Sequence, residues 1–134
     1  MSPRQPPEPV QVIKQRRDTA LRALLGAVPY WQKPLPQLLL EAWQRGPFTQ
    51  PPPLRMNEGL DPKLPEITAQ MRARAQAMGI EFISGMDYFC NADGCLTRLN
   101  ENARQPLSYD YGHLSIEAVT WYIDQIAPLI FKDQ

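Results

Sequence analysis

His113 is the only histidine in the chain, and it stands in "YDYGHLS", residues 109–115. Asp110 lies three residues before it and Ser115 two after. An imidazole titrates near neutral pH and can take a proton from a hydroxyl. A neighbouring carboxylate can fix its tautomer and stabilise the imidazolium. A turn just ahead of a helix can present both side chains on one surface, which would make Asp110 and His113 an acid–base pair. The stretch also has a plainer reading. A histidine near an aspartate is more often a surface or capping residue, and Tyr109 and Tyr111 then cover the helix end.

Such a pair needs a hydroxyl to act on. The serines are Ser2, Ser84, Ser108 and Ser115. Ser2 falls in the tail, and Ser108 and Ser115 belong to the histidine block. Ser84 is the one candidate nucleophile outside it, at the end of an expected parallel strand, where α/β proteins build their sites. Its surroundings, "FISGMD", lack the Gly-x-Ser-x-Gly elbow. The plainer role is a loop serine bonding to nearby backbone.

Cys90 and Cys95 enclose "NADG", a turn-forming loop. They can close a disulfide in an oxidising compartment or remain two thiols in the cytoplasm. With Asp110 and His113 they also make a candidate zinc set. The four-residue gap is wider than the usual two-residue knuckle, and aspartate is a less usual structural ligand. No metal and no cofactor are therefore expected.

With 134 residues the chain is read as one domain, residues 10–134, behind a disordered tail, residues 1–9. That length can bury a core. Fourteen basic residues balance 14 acidic ones, so net charge gives no support to a nucleic-acid or anionic-membrane partner. Apolar residues make up 43%, enough for a globular chain. The 15 prolines gather in the tail and in "PFTQPPPL", residues 47–54, and favour extended segments there. No apolar run is long enough to span a bilayer. The start, "MSPRQPPEPV", has no signal-peptide stretch, so a chain made alone would stay in the cytoplasm.

The elements expected to position these residues follow from spacing. Residues 10–23 have weak helical periodicity, and 24–31 read as a short buried strand. A helix begins near Pro36, lays Leu39, Leu40 and Trp43 on one side, and stops at Gly46. The clearest helix starts with Asp61 as cap and Pro62 in first position. Its stripe is Leu64, Ile67, Met71, Ala75 and Met78, and Gly79 ends it in a left-handed conformation. "IEFIS", residues 80–84, is a compact strand. "CLTRLNENARQPLSYD" suggests a hairpin or irregular β excursion turning at Asn100–Asn102. Ser115 caps a last helix, residues 116–130, with Leu114 and Val119 as a hydrophobic staple. Its stripe is Val119, Ile123, Ile126 and Ile130.

The block "PLSYDYGHLSIEAV" resembles the closing block of the SGNH (GDSL-like) hydrolases, in which Asp-x-x-His precedes the final helix. It is most similar to the SGNH domains attached to membrane-bound O-acyltransferases that modify bacterial surface polysaccharides. Those domains end in a strand, a Cys-containing loop, a hairpin, Asp-x-x-His-Leu-Ser and a helix. Here "IEFIS", "CNADGC", "CLTRLNENARQPLSYD" and "HLSIEAV" follow in that order. "LLGAVPYWQKPLPQLLL" is similar to an upstream segment of the family, and the resemblance covers about residues 22–130.

The resemblance implies an α/β fold, a partial three-layer, flavodoxin-like sheet with few parallel strands, a hairpin and flanking helices. It implies an esterase or O-acyltransferase acting on acyl esters of carbohydrate. His113 would be the base, Asp110 would orient it, Ser115 would be a structural cap, and Cys90–Cys95 a structural disulfide outside the cytoplasm. The family's Gly-Asp-Ser block and its oxyanion-hole motifs are absent from the sequence. The chain thus reads as the C-terminal half of such a domain, weak or inactive alone, pairing with a missing N-terminal half or with a second copy. The alternative is a non-catalytic binding or structural module that self-associates through an exposed strand edge.

Overall fold

A computed structural model describes residues 23–131. In chain order the elements are β1 (Ala23–Leu25), α1 (Leu35–Arg45), β2 (Arg55–Met56) and α2 (Leu64–Met78). Then come β3 (Glu81–Ile83), α3 (Gly85–Phe89), β4 (Cys90–Asn91), β5 (Gly94–Leu96) and α4 (Ile116–Ile130). The architecture is mixed α/β, with two small sheets among the described residues. The weak helix expected over residues 10–23 lies outside the described residues except for Ala23, which opens β1.

β1 and β3 pair in parallel, Leu24 opposite Phe82. The connection between them carries α2, which packs against both strands. The strand expected over residues 24–31 is shorter: it ends at Leu25, and the rest runs irregularly across the site. Pro29 has no N–H to give to a ladder. Trp31 N–H instead bonds the loop that carries Tyr111.

Helix α2 starts later than expected. Asp61 Oδ1 accepts the Lys63 N–H at 3.0 Å, and the Asp61 carbonyl accepts from Leu64. Asp61 therefore builds the turn before the helix, and Pro65 occupies the first turn. Gly79 ends the helix at φ 70°, as its type requires. Of the expected stripe, Leu64 and Ala75 are buried and Met71 half-buried, while Ile67 and Met78 are exposed. In α1 the buried residues are Leu35 and Leu38. Leu39 is half-buried, and Leu40 faces solvent.

The second sheet has the order β2-β5-β4 and is antiparallel. Cys90 pairs with Cys95 across a hairpin, so the tight turn is "NADG". Residues 97–107 form no strand, and Asn100 Oδ1 accepts the Asn102 N–H in the expected turn. β2 and α3 have no counterpart in the sequence reading. Gly94 has φ 123°, and a Cβ there would meet the Met56 backbone at 2.8 Å, so glycine permits β2 and β5 to approach. Thr97, fully buried, donates its hydroxyl to the Pro53 carbonyl at 2.6 Å and ties the proline-rich loop to this sheet.

The core joins both sheets to α1 and α4 through Trp31, Leu35, Met56, Ile83, Phe89, Leu107 and Ile126. Helix α4 has the expected bounds, and Ser115 Oγ accepts the Ala118 N–H at 3.2 Å. Its buried face is Ala118, Tyr122 and Ile126. Val119 and Ile123, expected in the core, are exposed. The Tyr122 ring packs on Phe89, centroids 5.2 Å apart, and on Tyr88 at 5.6 Å, which sets the rotation of the helix.

Candidate functional site

The loop between Leu107 and Ser115 is closed at its base. Ser108 and Leu114 form a β-bridge, and Ser115 N–H donates to the Leu107 carbonyl at 2.8 Å. From this base residues 109–113 project as a tight loop. Two backbone bonds tie the loop to the segment ahead of α1: Trp31 N–H to the Tyr111 carbonyl at 2.7 Å, and Leu35 N–H to the Asp110 carbonyl at 3.0 Å. The buried ends of the loop, Leu107 and Ser115, anchor it to the core. The Asp-x-x-His stretch is therefore held on one side by α1's approach and on the other by the start of α4.

Within this loop Asp110 and His113 meet. His113 Nδ1 lies 2.6 Å from Asp110 Oδ2. The other carboxylate oxygen, Oδ1, accepts the backbone N–H groups of Gly112 at 2.9 Å and His113 at 2.8 Å. Ser108 Oγ is 3.0 Å from the same oxygen and also 3.2 Å from the Asp110 backbone nitrogen. These bonds hold the Asp110 carboxyl well below the usual carboxylate range. The Gly112 N–H contributes most, then the His113 N–H, then the imidazole, while partial desolvation opposes them. Asp110 is therefore an anion at neutral pH, fixed in direction by its own loop.

A carboxylate acceptor at Nδ1 places the proton of a neutral ring there and leaves Nε2 with a free lone pair. The His113 side chain is 94% exposed, so that lone pair opens to solvent. The arrangement can accept a proton from a hydroxyl brought to Nε2, and Asp110 would stabilise the resulting imidazolium.

Ser84 sits elsewhere. It follows β3, is only 2% exposed, and its Oγ has no hydrogen-bond partner. It lines a cavity of about 310 Å³ with Asp87, Tyr88 and Leu129. Leu129 belongs to the last turn of α4, whereas His113 precedes the first. The structure does not hydrogen-bond Ser84 to His113. Ser115 is a helix cap, and Cys90 and Cys95 are joined as a disulfide. With both sulfurs in that bond neither cysteine offers a thiolate to a metal, and no group of metal-ligating side chains occurs among the described residues. Sequence reasoning missed Ser108 as the hydroxyl that orients Asp110. The spacing Ser-x-Asp, which favours such a side-chain turn, was the available signal.

No family model and no curated protein matches the chain. A solved structure does: the periplasmic domain of a lipopolysaccharide acetyltransferase from Salmonella ser. Paratyphi A, at 28% sequence identity and a TM-score of 0.72. The match covers 90% of this chain and 46% of that one. The chain thus spans under half the length of the acetyltransferase domain it resembles. The likeness bears out the α/β architecture and the similarity to an acyltransferase-associated domain expected from the sequence. The neighbour's periplasmic setting and the Cys90–Cys95 disulfide agree with each other. No helix among the described residues is long and apolar enough to cross a membrane.

Proposed function

We propose that the chain carries the acid–base half of an SGNH-type acyl-transfer site working on acyl esters of carbohydrate, outside the cytoplasm. The observation that carries the reading is the contact of His113 Nδ1 with an Asp110 carboxylate held by three further donors, with Nε2 facing solvent. His113 is the general base and Asp110 its orienting anion. The sealed hydroxyl of Ser84 is not the nucleophile. A serine from polypeptide beyond this chain supplies the attacking oxygen, in keeping with the 46% span of the neighbouring structure. Its Oγ would lose a proton to Nε2 as it bonds to the acyl carbonyl carbon, and His113 would then return that proton to the leaving oxygen.

By itself the chain is expected to be a poor catalyst, because base without nucleophile and oxyanion donors leaves most of the barrier in place. The test is hydrolysis of p-nitrophenyl acetate by the purified chain, alone and mixed with a separately expressed segment bearing Gly-Asp-Ser. Turnover in the mixture should exceed that of the chain alone and fall by about 10³-fold or more in His113→Ala. Turnover unchanged by that substitution removes the assignment. A second reading, a non-catalytic module that self-associates, is favoured by the exposed Leu25 on β1 and the exposed apolar residues of α4. It predicts that adding the segment brings no turnover.

A further inference from the structure

We propose that Tyr30 and Tyr111 form a saccharide-binding shelf beside the Asp110–His113 pair, on which a neutral pyranose ring stacks while it presents a hydroxyl or its ester to the base. The proposal rests on the acyl-transfer reading and names the acceptor side of that site. The two rings are near-parallel, 18° between planes, with centroids 6.1 Å apart. They come from distant segments and are brought together by the Trp31–Tyr111 backbone bond. Both stay open to solvent, Tyr30 at 48% and Tyr111 at 44%. Each tyrosine thus keeps close to half of its surface available to a ligand.

The backbone is shaped to make this pair. A Cβ on Gly112 would fall 2.6 Å from Cδ2 of Tyr30, so any other residue would push that ring away. Gly112 lies between Tyr111 and His113, and its N–H also binds Asp110. One glycine therefore serves both the acid–base pair and the ring beside it. Tyr111 directly follows Asp110 and precedes His113 by two residues, so the proposed shelf belongs to the loop that carries the pair.

The chemistry of the surface selects its occupant. A pyranose ring carries an apolar C–H face and a rim of hydroxyls. Tyrosine matches it with a rigid apolar face and a phenolic hydroxyl, and little side-chain entropy is lost on binding. Residues 109–113 bring one carboxylate and no lysine or arginine, and Lys33, on the segment of Tyr30, is paired with Glu41, which suits a neutral sugar rather than an anionic one. The structural neighbour is an acetyltransferase of lipopolysaccharide, a molecule rich in such rings.

The test is a titration of the full chain with neutral tri- and tetrasaccharides of glucose, galactose and rhamnose, followed by saturation-transfer NMR. Transfer to ring C–H protons of at least one series is expected, together with shifts in the aromatic resonances of Tyr30 and Tyr111. Tyr30→Ala and Tyr111→Ala should each weaken binding about 3- to 10-fold, while the phenylalanine variants should retain most of it. Because the wild-type shifts locate the sugar without any substitution, an alanine variant that fails to fold does not decide the matter. Absence of transfer from every series, or binding that leaves both tyrosine rings unshifted, overturns the shelf. Binding at the two rings with ester turnover indifferent to His113→Ala keeps the shelf and sinks the acyl-transfer reading, so the two failures are told apart.

Discussion

Asp110 shows how a single side chain can be fixed by its own loop. Its two oxygens are engaged by two backbone N–H groups, one serine hydroxyl and one imidazole. The half-exposed carboxylate stays ionised because its nearest donors are covalently placed, within three residues of it. This has a consequence for stability. The folded-state pKa lies below the ordinary aspartate value of 3.8, so the anion is favoured by folding. The contribution is complete above that ordinary value and is lost as pH falls toward the depressed one. Asp110→Asn should therefore lower the melting temperature at about pH 6, and the gap to the wild type should narrow steadily from about pH 4 down to pH 2. Thermal unfolding followed by circular dichroism across that range checks it. A gap that stays constant down to pH 2 would mean that the charge of Asp110 is not what holds the loop.

At the scale of elements, α4 positions the site because its start is defined sharply. Ser115 is buried at the cap, bonds the Ala118 N–H, and follows His113 by two residues. Ser115→Ala should cost about 1 kcal/mol, read as a lowered urea midpoint with an unchanged slope. Under the proposed acyl-transfer function, its effect on turnover should exceed that stability loss, because fraying of the first turn loosens the loop base at Ser108 and Leu114. This helix, its cap and its end were legible in the sequence, as were β3, the left-handed Gly79 and the Asp-x-x-His turn. All of these depend on neighbours within about four residues. What was not legible depends on distant partners. The two residues of β2 are a strand only because β5 lies beside them. The expected stripe of α4 holds at Ile126, which is buried, but not at Val119 and Ile123: they match Ala118 and Tyr122 in spacing, and the rings of Tyr88 and Phe89 on α3 choose between the two rows. Asp61 carries the sequence marks of a cap, yet Pro62 and Lys63 add a turn before the helix begins.

For the whole molecule, the unequal finish of its surfaces is informative. The face holding the second sheet is closed by the proline-rich loop and by Thr97, whereas the parallel sheet holds two strands among the described residues. Parallel strands normally have helices on both faces and neighbours at their edges. Here Leu25 on β1 is exposed, and α4 turns Ile116, Val119 and Ile123 outward, with Ile116 at 83% exposure. Those three helix residues recur at steps of three and four, so they form one stripe. We propose that this exposed apolar stripe is a surface for another polypeptide. For the purified chain the proposed occupant is a second copy. Static light scattering at high concentration should therefore give a mass above the 15.3 kDa of the chain. Ile116→Glu with Ile123→Glu should return it to that mass while changing unfolding free energy by no more than about 0.5 kcal/mol per site, as expected for side chains outside the core. If instead the wild type is a monomer at every concentration, the stripe is not an association surface for copies of this chain. If the double substitution unfolds the protein, the stripe belongs to the core rather than to an interface.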